Sequence, residues 1–590
     1  MNFLLVWDAN LAKPFVIEDI TVSHPDHGLA LHPRSMARIK EYDHATLVWL
    51  GDLVLPEGYS SEDQYLQFLS RRFNPGEILK AGGHFYCFFY DKKHDILYVL
   101  TGFSGILPVY YAQASGRTYV ASNVESISRA AGIVPTISRR FVLEKLIFNY
   151  PLFHHTILEE IGLLPAHHFI QLSDRMDVRR YFDVESLIHP DPTPPKRSLS
   201  MLSRFFQQRL ERYWPDEKWA LSFTGGFDGR ALLASALNKE LDFTAYAFGA
   251  SQSPDLTLPR DQARTLDIPF LPIYLEDPEY LEHSRQLGFH FVEQSGGMAD
   301  MARAHYVYAA RLLASDHRYL LTGNFGSELF RAMHLTGEMI ALPVFQLFSG
   351  RDPEQVLQEA MNTPEYQCLN QEVFREDLRN LIQDLFHYKF LDGSKESTNQ
   401  RFYSFVLEEV FRKYFGPEIT MQYQYLINRT PFLDFQFVKT LFTSQLAGVY
   451  GDFYTHNPVK RKKGQLWYAA LIKDMHKPLY RMKTGKGYAP RDVLTPNGNL
   501  FLAWNVLRKK VGRKGQADDS FLVRQAFDRN VRELGPIAFD EGLFNTFYLN
   551  GLMENPSGKG YKALLKTVSL NWYVHKIRKE WKAVSTDSSY

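Results

Sequence analysis

The sequence predicts a mixed fold, α+β giving way to α/β: an antiparallel β domain with a few helices, then a parallel-sheet domain, then a large helical part. Three observations predict it. Short β-type runs separated by turn residues fill the first part of the chain. A proline-rich segment, His189-Pro190-Asp191-Pro192-Thr193-Pro194-Pro195-Lys196, interrupts the pattern. Beyond it, strand-like runs alternate with helical stretches, as a parallel α/β sheet requires. Proline removes a backbone donor and stiffens the chain, so the segment reads as a linker over 189–198 between domains at 1–188 and 199–590.

The elements follow in order. Leu47–Leu50, His84–Tyr90, Ile96–Leu100, Val109–Tyr111 and Tyr119–Ala121 read as strands, with Asp91-Lys92-Lys93-His94-Asp95 as a polar hairpin loop. Cys87 alternates with Phe85 and Phe89, which places it in the core. After the linker, Trp219-Ala220-Leu221-Ser222-Phe223 reads as a short buried strand, and Arg230–Leu237 as a helix with apolar residues at helical spacing. Phe243–Phe248 and Tyr319–Leu321 are further strands, and from about residue 335 the chain is mainly helical. The basic clusters Lys460-Arg461-Lys462-Lys463 and Arg508 to Lys514 read as solvated faces.

Composition excludes several classes. Lys plus Arg number 67 against 66 Asp plus Glu, a net charge of +1, which gives a nucleic-acid partner no electrostatic footing. Two cysteines, Cys87 and Cys368, are too few for a disulfide framework or a cysteine-based zinc site. Asp8 interrupts the N-terminal apolar run too early for a signal peptide, and no apolar run reaches the ~18 residues of a membrane span. The expectation is a soluble cytoplasmic protein with neither a nucleic-acid nor a membrane partner.

Thr224-Gly225-Gly226-Phe227-Asp228-Gly229 carries the chemistry. Between strand and helix, a hydroxyl and glycines form an anion cradle: the backbone can approach an oxyanion closely, and the unpaired N–H groups of the helix start point at it. Asp228 beside a phosphate makes sense if a divalent cation sits between them. The turn therefore points to a nucleotide's pyrophosphate handled with Mg²⁺; read alone, it is equally a tight strand-to-helix connection.

Several segments, in order along nearly the whole chain, resemble the asparagine synthetase family. Gly83-His84-Phe85 with Asp91 resembles its Gly-x-Phe…Asp strand, and Gly105-Ile106-Leu107-Pro108-Val109-Tyr110-Tyr111 its Gly-x-x-Pro-Leu-Tyr-Tyr turn. Ala121-Ser122-Asn123 stands where the family has Ala-Ser-Glu. Thr156 to Ile161 with Leu164-Pro165-Ala166-His167 is similar to a further segment of that domain. Thr224–Gly229 resembles the Ser-Gly-Gly-x-Asp-Ser pyrophosphate loop, Ser253-Pro254-Asp255-Leu256 a Ser-Pro-Asp-Leu segment, and Leu321–Phe330 the second nucleotide loop. Arg429-Thr430-Pro431-Phe432-Leu433-Asp434 resembles Arg-x-Pro-Phe-Leu-Asp, and Arg481-Met482-Lys483-Thr484-Gly485 the late element whose lysine reaches the phosphates. The resemblance implies an Ntn-hydrolase-like antiparallel β sandwich of the class II glutamine amidotransferase type. A parallel-sheet ATP pyrophosphatase domain of the HUP type follows, with its helical C-terminal part.

The departures from the family bear on function. Its glutaminase uses a cysteine exposed after removal of the initiator methionine; Asn2 stands there, and an amide side chain is no nucleophile. Asn324 follows Gly323 where asparagine synthetases carry a glutamate and β-lactam-forming members a tyrosine, and it cannot act as a general base at neutral pH. Ser327 replaces an aspartate before Glu328, and Gly229 replaces a serine.

By resemblance, then, ATP lies with its adenine near Phe223 and Phe248 and with Thr322 and Gly323 close by. Thr224, Gly225, Gly226, Asp228 and Gly229 hold the phosphates, and Asp228 and Glu328 hold Mg²⁺. Lys483 neutralises phosphate charge, with Lys486 as competitor, and Asn324 stands where the amine arrives. Glu293 matches a family glutamate or is simply a helix acid, and Asp434 is architectural, beside Arg429. The leading expectation is an ATP-dependent, AMP-forming amide ligase without its own glutaminase, nearer to β-lactam synthetases and lasso-peptide cyclases than to true asparagine synthetases. Its substrate, a small molecule or a peptide, carries a carboxylate and an amine, and a precursor peptide or its leader is a further partner. An asparagine synthetase using free ammonia, a non-catalytic nucleotide-binding scaffold and a tRNA-modifying pyrophosphatase are the alternatives.

Overall fold

Alternation with a period of two builds the first part of the molecule. In the computed structural model, Val48, Leu50, Tyr86, Phe88, Leu97 and Val99 join one buried cluster while Leu47, Trp49, Phe85, Cys87, Phe89 and Leu100 join another. The structure describes residues 2–9, 16–19, 27–32, 36–331, 339–390, 397–453, 458–496, 498, 501, 521–534, 536–556 and 558–587. The side chains of 460–462 and all of 508–514, read above as solvated basic faces, lie outside the described residues.

The first cluster fills the space between two antiparallel sheets. One comprises β1 (Phe3–Trp7), β2 (Val16–Asp19), β3 (Gly28–Leu31), β8 (Tyr110–Ala114), β9 (Arg117–Ala121) and β10 (Gly162–Leu163) in the order β10-β8-β9-β1-β3-β2, antiparallel except for β2 with β3. The other comprises β4 (Ala37–Glu41), β5 (Ala45–Gly51), β6 (Phe85–Asp91), β7 (Ile96–Thr101), β11 (His168–Leu172) and β12 (Met176–Arg180) in the order β12-β11-β7-β6-β5-β4. Phe3 meets Tyr86 and Phe88 edge-on across the gap, each at 4.9 Å. The second cluster buries the outer face of that sheet under helix Glu62–Arg71, whose Tyr65, Leu66 and Leu69 have no exposed surface. The expected hairpin closes as Asp91 Oδ1 accepts from the backbone N–H groups of Lys93 and His94, at 3.0 and 3.1 Å.

The third sheet is parallel throughout. Its strands are β13 (Trp219–Ser222), β14 (Thr244–Gly249), β15 (Phe270–Tyr274), β16 (Tyr319–Leu321) and β17 (Ile427–Arg429), in the order β15-β14-β13-β16-β17. The fold is thus an antiparallel β sandwich with helices, then a parallel α/β sheet, then a mainly helical part, as the sequence predicts. Strands β1–β4, β10–β12, β15 and β17 come from segments that gave no clear strand signal. β15 contains Pro272, which an edge strand tolerates because one of its sides needs no ladder donor; β17 is three residues long and lies among helices.

Buried charges join the two parts. Arg429 reaches Asp52 of the sandwich with two hydrogen bonds, Nε at 2.9 Å and Nη2 at 3.0 Å, and Thr430 Oγ1 meets His84 Nε2 at 2.9 Å. Burial drives the His84 pKa down to about 4, so its imidazole is neutral. Asp434 belongs to a different pair from the one the sequence suggested. It binds Arg209 Nε and Nη2, accepts from the Tyr213 hydroxyl, and caps helix Phe435–Leu441 through Phe437 N. Thr193 forms a one-residue parallel bridge with Ser444, and Pro195 already begins helix Pro195–Leu210. Among the described residues no helix is long and apolar enough to cross a membrane.

Candidate active site

The order of the third sheet locates the site before any side chain does. From β13 the chain steps outward to β14 and β15, then returns to the other side of β13 as β16 and continues to β17. β13 and β16 flank the switch point, and in open parallel sheets ligands bind beyond the carboxyl ends of the strands at that place. The connections 223–229 and 322–328 both leave there.

The two connections touch through glycines. A Cβ on Gly323 would lie 2.8 Å from Gly229 N and 2.9 Å from Asp228 Cβ, and one on Gly229 would lie 2.7 Å from Ser222 O. No side chain fits at either position, so the serine expected at 229 from the resemblance is excluded sterically by the close approach of helix to strand. Gly226 starts helix Phe227–Asn238 without a side-chain cap, donating its own N–H to Thr224 Oγ1 at 3.4 Å. The turn of 483–487 closes over the same place. Gly485 N donates to Gly225 O at 2.9 Å, and Lys483 O accepts from Gln262 Nε2 at 2.7 Å and from Arg230 Nη2 at 3.2 Å. The backbone of Lys483 is thereby fixed beside the glycine turn while its side chain is exposed.

Acidic groups gather on one side of the cradle. Ser327 Oγ donates to Asp228 Oδ2 and accepts from Arg331 Nη2 at 2.9 Å, and Asp228 Oδ1 is buried beside the Tyr468 hydroxyl. Burial first, and the Asp228 charge second, push the Glu328 pKa up to about 7, with Arg331 opposing. Tyr403 fixes this segment by donating to the backbone carbonyls of Glu328 and Arg331, at 2.9 and 2.6 Å. Phe325 holds φ +70, a left-handed conformation costly for an aromatic residue, with its ring against Phe411 at 4.9 Å and Phe415 at 4.6 Å.

The remaining predicted residues divide. Thr322 is buried, its N–H donating to Arg429 O and its hydroxyl near Asn428 Oδ1 at 3.4 Å. Asn324 stands beside Glu418; burial raises the Glu418 pKa, while Arg303 and hydrogen bonds from Asn324, Gln422 and Tyr306 oppose the rise. Phe248 is half-buried against His305 at 4.9 Å and Tyr306 at 5.6 Å, a wall suited to a flat ring. Phe223 has no exposed surface and lies under the Arg230 guanidinium, so its ring packs the core instead of lining a pocket. Glu293 is engaged elsewhere: its carboxylate pairs with Lys576, near Glu125 and Tyr573. Sequence reasoning did not find Arg331, Glu418 or Arg230. Only Arg230, a charge in an apolar helix directly after the turn, left a signal, and burial pulls its pKa down to about 10.

No protein-family model and no curated protein matches the sequence. Similar solved structures include NMN synthetase from Francisella tularensis, at 15% identity and TM-score 0.18 over 39% of this chain and 93% of that one. A predicted subunit of tRNA methyltransferase from Methanocaldococcus jannaschii is similar at 14% identity and TM-score 0.14, over 28% of this chain and 87% of that one. Glutamine phosphoribosylpyrophosphate amidotransferase from B. subtilis, complexed with ADP and GMP, is similar at 9% identity and TM-score 0.17, over 55% and 71%. These likenesses are slight, and the reading of function rests on the site itself.

Proposed function

We propose that the protein is an ATP-dependent, AMP-forming amide ligase that activates a substrate carboxylate and joins it to an amine without a glutaminase of its own. The observation that carries this reading is the meeting of the uncapped glycine turn 224–229 with the loop 322–328 at the switch point, Asp228 between them. An oxygen of the carboxylate attacks the α-phosphorus; the bond to the bridging oxygen breaks, and pyrophosphate leaves against the helix start and Lys483. The amine nitrogen then attacks the acyl carbon, the bond to AMP breaks with its electron pair, and the amine's proton passes to Glu418, the buried carboxylate next to Asn324. Asn324 orients the amine and holds no proton. Phe248 offers the adenine a face.

The donor set suits Mg²⁺. Asp228 and Glu328 are two buried carboxylates side by side, Asp228 next to the Tyr468 hydroxyl, and the Glu328 carboxyl bears the cost of its charged neighbour. Among the described residues there is no group of three metal-ligating side chains, so phosphate oxygens and water would complete an octahedral shell. The cation, when bound, neutralises charge on the departing pyrophosphate.

The sandwich domain supports the absence of a glutaminase. Cys87 has no exposed surface, and burial raises its thiol pKa far out of the reactive range, so it is no nucleophile. In this reading the domain holds the acceptor substrate, a small molecule or a precursor peptide bearing carboxylate and amine. One observation favours a second reading, a nucleotide-binding scaffold: the Arg331–Ser327–Asp228 chain occupies one carboxylate oxygen that a catalytic cation would use. Exchange of radiolabelled pyrophosphate into ATP separates the two. Carboxylate-dependent exchange that vanishes in Asp228→Ala establishes the ligase. Tight ATP binding without exchange, over a panel of carboxylates and peptides, establishes the scaffold.

A further inference from the structure

Behind the second loop lies a small cavity between the two domains, separate from the nucleotide cradle. It is lined by Gly105 and Tyr110 of the sandwich, by Ser295 at the end of helix Pro278–Gln294, and by Arg412, Lys413 and Thr420 of the helical part. Two polar atoms in its wall are buried without any hydrogen bond, Arg412 Nη1 and Thr420 Oγ1. Arg412 is 5% exposed; its Nη2 donates to Leu164 O at 2.5 Å, which leaves Nη1 as a fixed donor with nothing opposite. Two more orphans lie close by. Ser104 Oγ is next to Gly105 in the chain, and both ring nitrogens of His167 lack partners within range of the Arg412 charge.

Glu409 is already engaged by Lys413 Nζ and by Phe153 N, and Lys413 also reaches Phe153 O at 2.6 Å. With Glu409 taken by Lys413, Arg412 makes its hydrogen bond to a carbonyl and not to a carboxylate, and no carboxylate is among the described residues lining the cavity. The strain shows on Lys413, whose pKa burial brings down to about 8. Water would satisfy the unpaired donor but not the charge, and a buried unpaired guanidinium donor is costly to leave. The free space admits about one body of water or halide size, too little for a phosphate or a carboxylate-bearing ligand.

We propose that this inter-domain cavity binds one halide-sized anion, chloride in the cell, held by Arg412 Nη1 and Thr420 Oγ1. The ion would also brace the nucleotide site. Arg412 sits on the π-helix Val406–Phe415, whose Phe411 and Phe415 carry the strained Phe325 of the second loop. The site stands independently of the ligase reading, because no step of that reaction passes through it.

The test uses the whole protein and bromide as the probe. Crystals soaked in sodium bromide and measured at the bromine edge should show an anomalous peak about 3–3.5 Å from Arg412 Nη1 and Thr420 Oγ1. In solution, the thermal midpoint should rise and saturate with chloride or bromide, relative to gluconate at equal ionic strength. Thr420→Val, which keeps the shape of the side chain, should raise the half-saturating halide concentration about tenfold, with ATP binding in gluconate unchanged. A cavity without an anomalous peak, or a thermal midpoint that does not distinguish chloride from gluconate, would overturn the proposal without touching the ligase reading.

Discussion

The two connections at the switch point are built differently. The first, 224–229, is a backbone device: glycines that admit no Cβ, a helix start without a cap and a carbonyl that clamps the 483–487 turn. The second, 322–328, depends on side chains. Asn324 stands beside Glu418, Ser327 holds Asp228, burial pushes the Glu328 pKa up to about 7, and Phe325 is strained against the π-helix. A backbone cradle tolerates no change in shape. A loop made of side chains can change its chemistry within one frame.

The largest effects should come from the backbone device. Asp228→Ala, which removes the carboxylate at the helix start, is expected to lower pyrophosphate exchange at least about 100-fold, the scale of losing one preorganised electrostatic group. Gly323→Ala should be nearly as damaging, because its methyl would meet Gly229 N at 2.8 Å and part the two connections. A misplacement on the ångström scale costs about 100-fold in such sites. Gly229→Ser is the sharper form: it restores the hydroxyl of the family pattern yet should lose ATP affinity, because its Cβ would clash with Ser222 O. Isothermal titration with ATP and the exchange rate check all three. A Gly229→Ser protein that binds ATP better would break the contrast.

The side-chain loop should respond to pH instead. The folded pKa of Glu328, about 7, is raised above the ordinary value of 4.5, so its contribution to stability is full below that ordinary value and is lost as pH rises through about 7. Glu328→Gln should therefore flatten the fall in thermal midpoint between about pH 5 and pH 8. A cation reverses the sense, since it favours the ionised carboxylate. Stabilisation by Mg²⁺ should grow from about pH 6 to about pH 8 in the natural protein, and lose that slope in Glu328→Gln. Scanning calorimetry with and without Mg²⁺ reads both.

How much of this was legible follows the same contrast. The strand, glycine turn and helix at 219–238 are local grammar, and each forms where the sequence placed it. The hairpin around Asp91 and three strands of the parallel sheet, β13, β14 and β16, were equally readable; β15 and β17 were not. Side-chain roles set by distant partners were not. Glu293 looked like a site glutamate, but its partner Lys576 comes from the last helix, Gly558–Asp587. Phe223 looked like an adenine wall until Arg230 and the core covered it. Asp434 lies close to Arg429 in sequence yet pairs with Arg209, while Arg429 crosses to Asp52 in the other domain. Arg331 directly follows the loop but carries no motif, and Glu418 reaches it only through the packing of the helical part.

The smallest effect tests the hinge between enzyme and scaffold. Ser327 donates its hydroxyl hydrogen to Asp228 Oδ2 and is itself held by Arg331 Nη2. If that bond competes with a cation for the carboxylate oxygen, Ser327→Ala should tighten Mg²⁺ and MgATP about two- to tenfold, the net worth of one hydrogen bond. The exchange rate should rise with it, because Asp228 Oδ2 would then be open, with only the Tyr468 hydroxyl left on the carboxylate. If the bond instead locks a retired site, removing it should leave Mg²⁺ affinity and exchange where they were and lower only the thermal midpoint. The two results differ in sign on separate readouts, so a few-fold change in one variant decides whether the refitted loop still serves catalysis.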